Sequence, residues 1–240
     1  MRAAMQYLLI SDTHLAAGNY DPKFCDRLLK LIEEYPRVII MGDFFDAYLS
    51  TFDAFLRSGW KRLFPALLKK KAIYIYGNHD RPEFMNELTT EFSVEQTYRK
   101  VLEVEDVLIT LQHGHLYAPD FDGKFPWFSY YLSWLYPRYH RHASEQTWLN
   151  RLFLKAYNDN KNKLLHADMK RAITRFKEKN KDMRDNWQIT GHSHIQEVDY
   201  KLRYINIGAT LSKSLEYVVI DTSGTMLVVK DSHVQTVAVV

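Results

Sequence analysis

The chain has 240 residues, 46% of them hydrophobic and 25% charged, with a net charge of +3. That length buries a core without covalent staples, and so small a charge gives no argument for a nucleic-acid partner. The only cysteine, Cys25, excludes an internal disulfide and fits a reducing, cytoplasmic setting. No apolar run approaches the roughly 20 residues of a membrane span. No signal peptide is apparent either, since YLLI at 7–10 runs straight into SDTH.

In chain order, QYLLIS (6–11) reads as a short buried strand and PKFCDRLLKLIEEY (22–35) as a helix with Pro22 in its first turn. RVIIMG (37–42) is a second strand. Residues 51–71 have helical character, with Gly59 and Pro65 placed to interrupt it. AIYIYG (72–77) is a third strand. This β-α-β-α-β order predicts a parallel sheet covered by helices. RKVLEVEDVLITLQHG (99–114) reads as a hairpin turning near Glu105-Asp106. The C-terminal part is strand-rich, with NWQIT, EVDYKLRYINIG and a Ser-Gly turn inside EYVVIDTSGTMLVVK.

Five strand ends carry polar residues that a core alone does not require: SDTH (11–14), GDFFD (42–46), GNHD (77–80), HGH (113–115) and GHSH (191–194). In open parallel sheets ligands bind outside the carboxyl ends of strands. His192 and His194 stand two apart. If their segment is extended, both point to one side and converge on one point. Asp12 and His14 repeat that spacing. Asp43 follows a glycine, which lets the backbone come close, and its two carboxylate oxygens can bridge two cations. Asn78 offers an amide oxygen, and His113 a further imidazole. Two Asp, one Asn and four His suit Mn²⁺, Fe²⁺, Co²⁺ or Zn²⁺ better than Ca²⁺. Seven donors are too many for one tetrahedral site and enough for two. A metal pair about 3.5–4 Å apart binds a phosphoryl oxygen and acidifies water.

The blocks DTH, GD, GNHD, HGH and GHSH, in this order over residues 11–194, resemble the signature of the calcineurin-like metallophosphoesterases. The resemblance implies an α/β fold of four layers, two central β-sheets flanked by helices, in a single domain over 1–240. It implies two divalent metal ions, with Mn²⁺ the leading expectation. Asp12, His14 and His194 would hold the first and Asn78, His113 and His192 the second, with Asp43 between them. His79 is not a ligand in that pattern. It would stabilise charge over the phosphate or protonate the leaving oxygen, and a surface-loop histidine is the bland alternative. Asp80 is a candidate to orient His79 or a ligand histidine. Asp46 reads equally as a residue behind the ligands or as a helix cap.

Between His113 and His192 lie 78 residues, a helical insert at about 118–185. Residues 120–185 hold 14 Lys/Arg against 8 Asp/Glu, whereas the rest of the chain is net acidic. Residues 117–140 hold ten aromatics, and 144–180 reads as one or two basic helices. The insert is open to three readings. It is a helical hairpin packed on itself, a lid whose Arg138 and Arg141 hold phosphates, or a basic aromatic patch at a membrane surface. Its position, with the GDFFD block, is similar to that of the UDP-2,3-diacylglucosamine pyrophosphatases of lipid A synthesis. That branch implies cleavage of a pyrophosphate bond in a lipid-linked nucleotide sugar. The chain departs from the branch at His79, where arginine is the pattern, and at HGH in place of HGD, which leaves His115 unassigned. A soluble nucleotide or phosphoprotein substrate, or a non-catalytic scaffold, are the competing expectations. No basic stripe flanks the motifs, which argues against nucleic acid.

Overall fold

The computed structural model describes residues 5–118, 148–180 and 185–238. Four strands, β1 (Gln6–Ile10), β2 (Arg37–Ile40), β3 (Ile73–Ile75) and β4 (Glu95–Thr97), pair in parallel. The second sheet opens with a hairpin of β5 (Lys100–Val104) and β6 (Val107–Leu111), turned at Glu105-Asp106 as expected. To it are added β7 (Trp187–Thr190), β8 (Glu197–Asp199) and β9 (Tyr204–Asn206) in the order β5-β6-β7-β9-β8. The chain then returns to the first sheet as an antiparallel meander of β10 (Glu216–Asp221), β11 (Thr225–Lys230) and β12 (His233–Ala238). The first sheet thus has seven strands, in the order β12-β11-β10-β1-β2-β3-β4.

Alternation along the strands makes the layers. Leu8, Ile10, Val38 and Ile40 point away from the second sheet, into a cluster with Phe24, Leu28 and Trp60. Their neighbours Leu9 and Ile39 point the other way and meet Ile109, Leu111, Ile189 and Ile205 between the sheets. Side chains of period two therefore fill both faces of the first sheet. Each such fully buried aliphatic contributes about 2 kcal/mol relative to exposure.

The outer layer on the first sheet begins with α1 (Pro22–Glu34). Asp21 caps it by accepting from Lys23 N at 2.9 Å, and Pro22 opens it. Phe24, Cys25, Leu28, Leu31 and Ile32 are buried at helical spacing. The predicted helix over 51–71 divides at the two breakers. It forms α2 (Phe52–Leu56), a 3-10 turn at Gly59–Leu63, and α3 (Phe64–Lys69) with Pro65 in its first turn. On the second sheet lies α4 (Trp148–Lys179), which resolves the open reading of 144–180 as one helix over its described residues. Its Leu165, Met169 and Ile173 pack on Tyr204 and Ala118. These are the four layers that the sequence resemblance implies. The other nine of the ten aromatics in 117–140, together with Arg138, Arg141 and 144–147, lie outside the described residues. Tyr117 lies inside them, and its ring meets Phe176 of α4 at 5.9 Å. Among the described residues, no helix is long and apolar enough to cross a membrane.

Candidate metal centre

The five polar strand ends meet at one place, at the carboxyl ends of β1, β2, β3, β6 and β7. Two glycines allow the approach. At Gly42, which has φ +88°, a Cβ would stand 2.6 Å from the His113 ring. At Gly191 a Cβ would stand 2.0 Å from Ser11 Oγ and 2.3 Å from Asp12 Oδ2. Any side chain at either position would push the strand ends apart.

The donors themselves sit in an uncommon backbone conformation. Asp12 (φ 55°), His14 (47°), Asp43 (51°), His192 (69°) and His194 (57°) are all left-handed. Non-glycine residues adopt this region at a cost of about 1 kcal/mol or more, and such residues gather at functional sites. The conformation also corrects the expectation for GHSH. The segment is not extended, so His192 and His194 do not converge. His194 joins Asp12 and His14, and His192 joins Asp43 and His113. Within each trio one donor atom per residue lies within 4.8 Å of the others.

Each aspartate uses one oxygen for the fold and turns the other to the site. Asp12 Oδ2 accepts from Ser11 Oγ at 2.5 Å and from His192 N at 2.9 Å. Its Oδ1 is buried and accepts no well-directed hydrogen bond, although His194 Nε2 stands 3.2 Å away. Asp43 Oδ1 accepts from His79 N at 2.9 Å. Asp43 Oδ2 lies 3.2 Å from His113 Nε2, 3.9 Å from His14 Nε2 and 4.0 Å from His79 Nε2, which puts it between the two trios. His14 Nε2 and His194 Nε2 face each other at 3.2 Å. Asn78 Oδ1 stands 3.1 Å from His113 Nε2, and His113 Nδ1 donates to Met41 O at 2.8 Å. His192 Nε2 is likewise taken by a carbonyl, Ala118 O at 3.0 Å. Facing imidazole nitrogens beside an unpartnered carboxylate oxygen are what a divalent cation satisfies. The donor set present therefore fits the ions that the sequence resemblance implies.

Electrostatics point the same way. Burial opposes ionisation of Asp12, yet the His113 and His194 rings outweigh it and bring its pKa to about 2. Burial and then His113 and His79 act on Asp43, with the net effect well below the usual carboxylate range. Burial also opposes charge on His113, but Asp43 and Asp12 push it up to about 10. His14 is raised, burial again being outweighed, chiefly by Asp46. His192 is lowered to about 3 by burial and by the charge on His113, so its ring is neutral and ready to donate a lone pair. The carboxylates that favour positive charge at the His113 ring would equally favour a cation beside it.

The loop GDFFD places Asp46 behind the donors. Of the two roles left open for it, it takes the one behind the ligands and caps no helix, since a turn follows it. Its Oδ1 accepts from Tyr48 N at 2.9 Å, which fixes a turn. Its two oxygens also reach His14 Nδ1 at 3.0 Å and His79 Nδ1 at 3.2 Å. Asp80, the candidate to orient His79, does something else. It accepts from Phe44 N at 2.8 Å, Gly77 N at 2.6 Å and Tyr74 Oη at 2.5 Å, and so ties the GDFFD and GNHD turns together. Asp46 is the partner of His79. Sequence spacing gave no sign of this choice, because both aspartates sit in turns whose side-chain directions no period fixes. His115, unassigned above, has its ring 5.5 Å from that of His113. Burial and then His113 lower its pKa to about 3.

The sequence profile of the calcineurin-like phosphoesterases matches residues 5–196. No curated protein matches the chain. Among solved structures, YfcE, a phosphoesterase from E. coli, is similar at 15% identity, with 98% of this chain and 100% of that chain covered and a TM-score of 0.49. Vps29 complexed with zinc, from Entamoeba histolytica, is 15% identical, with 98% and 99% covered and a TM-score of 0.48. A novel archaeal phosphodiesterase is 16% identical, with 98% and 99% covered and a TM-score of 0.43. At these values the solved structures add nothing to the weight of the sequence match.

Proposed function

Since the chain belongs to the calcineurin-like phosphoesterase family, a family of metal-dependent hydrolases, we propose that it cleaves a pyrophosphate bond in a lipid-linked nucleotide sugar at a site holding two divalent ions. Asp12, His14 and His194 would hold one ion, and Asn78, His113 and His192 the other, with Asp43, whose Oδ2 lies near both His14 and His113, shared between them. The observation that carries this assignment is the buried, unsatisfied Asp12 Oδ1 beside two facing imidazole nitrogens. When bound, the two ions supply charge neutralisation for the phosphoryl group and acidify water.

The chain's own residues do the rest. The Asp46 carboxylate only accepts, and its Oδ1 stands 3.2 Å from His79 Nδ1, so it favours the tautomer with the proton on that nitrogen. Nε2 of His79 is then turned towards Asp43 Oδ2, at the edge of the ion site. From there it stabilises developing charge or gives its proton to the leaving oxygen. Support for the lipid-linked substrate comes from the sequence resemblance and from the insert with its basic and aromatic composition. In this reading the enzyme works in the cytoplasm, peripheral to a membrane, and the insert meets the acyl chains.

The test is hydrolysis by metal-stripped protein reloaded with Mn²⁺, run on UDP-2,3-diacylglucosamine with UMP detection and on a generic aryl phosphodiester. Turnover far higher on the lipid nucleotide supports the proposal. Turnover on the generic ester alone keeps the metal chemistry and moves the substrate to a soluble nucleotide or a phosphoprotein. No metal-dependent turnover on either favours the non-catalytic scaffold.

A further inference from the structure

α4 belongs to the insert, yet one of its side chains reaches the loop between two candidate ligands. His166 is buried. Its Nδ1 lies 2.8 Å from Ser193 Oγ, and its Nε2 pairs with Glu197 Oε2. Ser193 stands between His192 and His194 and is fully buried. The hydrogen-bond directions follow from chemistry. An ionised carboxylate only accepts, so Nε2 of His166 carries the proton shared with Glu197. On a neutral ring Nδ1 is then an acceptor, and the Ser193 hydroxyl donates to it. The same hydroxyl oxygen accepts from Ile195 N at 3.4 Å.

Two further anchors hold the helix without touching that loop. Lys170 pairs with Glu197 at 2.6 Å and Asp199 at 2.8 Å. Lys177 donates to Asn186 O at 2.5 Å and Leu202 O at 2.8 Å. Docking of α4 therefore does not hang on His166 alone. The loop is the part in need of support. Its residues His192 and His194 are both left-handed, a conformation that persists only where neighbours enforce it. Ser193 contributes one such restraint through its backbone, donating to Gly191 O at 2.9 Å, and a second through the hydroxyl aimed at His166.

We infer that His166 is a positioning residue, which fixes the Ser193 turn so that His192 and His194 face their separate ions, and that the insert thereby sets the metal affinity of the centre. The inference rests on the reading that these two histidines hold cations. Nothing in the sequence marked His166, which lies 26 positions before His192 on a helix of the insert.

Two substitutions separate loop positioning from helix docking. In His166→Asn the amide oxygen lies near the former Nδ1 and still accepts from Ser193, while the contact to Glu197 is lost. In His166→Gln the amide nitrogen lies near the former Nε2 and still donates to Glu197, while the contact to Ser193 is lost. Ser193→Ala removes the hydroxyl and leaves the Glu197, Lys170 and Lys177 contacts of α4 in place. Metal-stripped full-length protein is titrated with Co²⁺, read by the visible spectrum of the bound ion, with the thermal midpoint of each variant recorded. His166→Gln and Ser193→Ala are expected to bind Co²⁺ about tenfold or more weakly, with an altered spectrum, and His166→Asn to stay close to wild type. The reverse order, with Asn weakened and Gln unaffected, would mean that His166 only docks the helix, and it would overturn the inference. If His166→Gln does not fold, Ser193→Ala decides alone, and wild-type affinity there refutes the inference. A wild-type protein that binds no Co²⁺ refutes the metal reading itself, which is a different result from equal binding by all forms.

Discussion

The two donor trios lie side by side and differ in burial. In the trio of Asp43, His113 and His192 every residue is buried, and the His113 side chain has no exposed surface. In the trio of Asp12, His14 and His194 the aspartate is buried, but the side chains of His14 and His194 are 17% and 30% exposed. One ion position is thus part of the interior and the other opens to solvent. His79, its side chain 21% exposed, stands on the open side. The difference assigns work. Under the proposed function the enclosed position would anchor the strand ends, and the open one would meet substrate and water.

Asp43→Ala removes the one carboxylate placed between the trios, so it breaks the comparison most severely. We expect a kcat loss on the order of 10³-fold together with loss of bound metal, read by hydrolysis of an aryl phosphodiester and by elemental analysis. His79→Ala sharpens the comparison, because His79 belongs to neither trio and its ring packs edge-on against His14 of the open one. Metal content is expected to stay at the wild-type level while kcat on an unactivated ester falls by about 10²-fold. Full kcat would remove His79 from the reaction.

Acidity gives the third expectation. With its pKa raised to about 10 by Asp43 and Asp12 in the ion-free protein, His113 is protonated at pH 7 and must lose that proton to become a ligand. Affinity at the enclosed position therefore falls as pH drops and rises as pH approaches 10, by about tenfold per unit for one proton. Proton release on Mn²⁺ addition at pH 7, followed calorimetrically in buffers of different ionisation enthalpy, measures it. A pH-independent affinity would contradict the pairing of His113 with the carboxylates. The smallest effect concerns rates. Chelator should strip the open position before the enclosed one, giving two kinetic phases rather than one.

Much of this was legible in the sequence for identifiable reasons. Leu8, Leu9, Ile39 and Ile40 are apolar on both faces because helices cover one side and a second sheet the other, and such runs are conspicuous. The polar strand ends stood out because nothing in a core explains them. β4 gave no signal: its three residues, Glu95–Thr97, are polar and half-buried. β12 was missed as well, since Val237 is its one buried residue and an edge strand exposed on both faces shows no alternation. Within the site, residue types announced the donors, but their grouping did not follow from spacing. The left-handed turns at His192 and His194 replace the geometry of a strand. The choice of Asp46 over Asp80 as the partner of His79 depends on loops whose shape is set by contacts with other parts of the chain, as where Phe44 N and Gly77 N both donate to Asp80.

Those left-handed donors carry a consequence for which ions are admitted. Five side chains hang from backbone held in a narrow conformational well, and Gly42 and Gly191 leave no slack between the strands that bear them. A site held in this way would discriminate by ionic radius. Contact distances near 2.0–2.2 Å suit the small transition ions, whereas Ca²⁺ asks for about 2.3–2.6 Å and for more ligands than either trio offers. Ca²⁺ is therefore expected to bind more weakly than Mn²⁺ or Co²⁺, through stiffness as much as through ligand chemistry, which a competition titration checks.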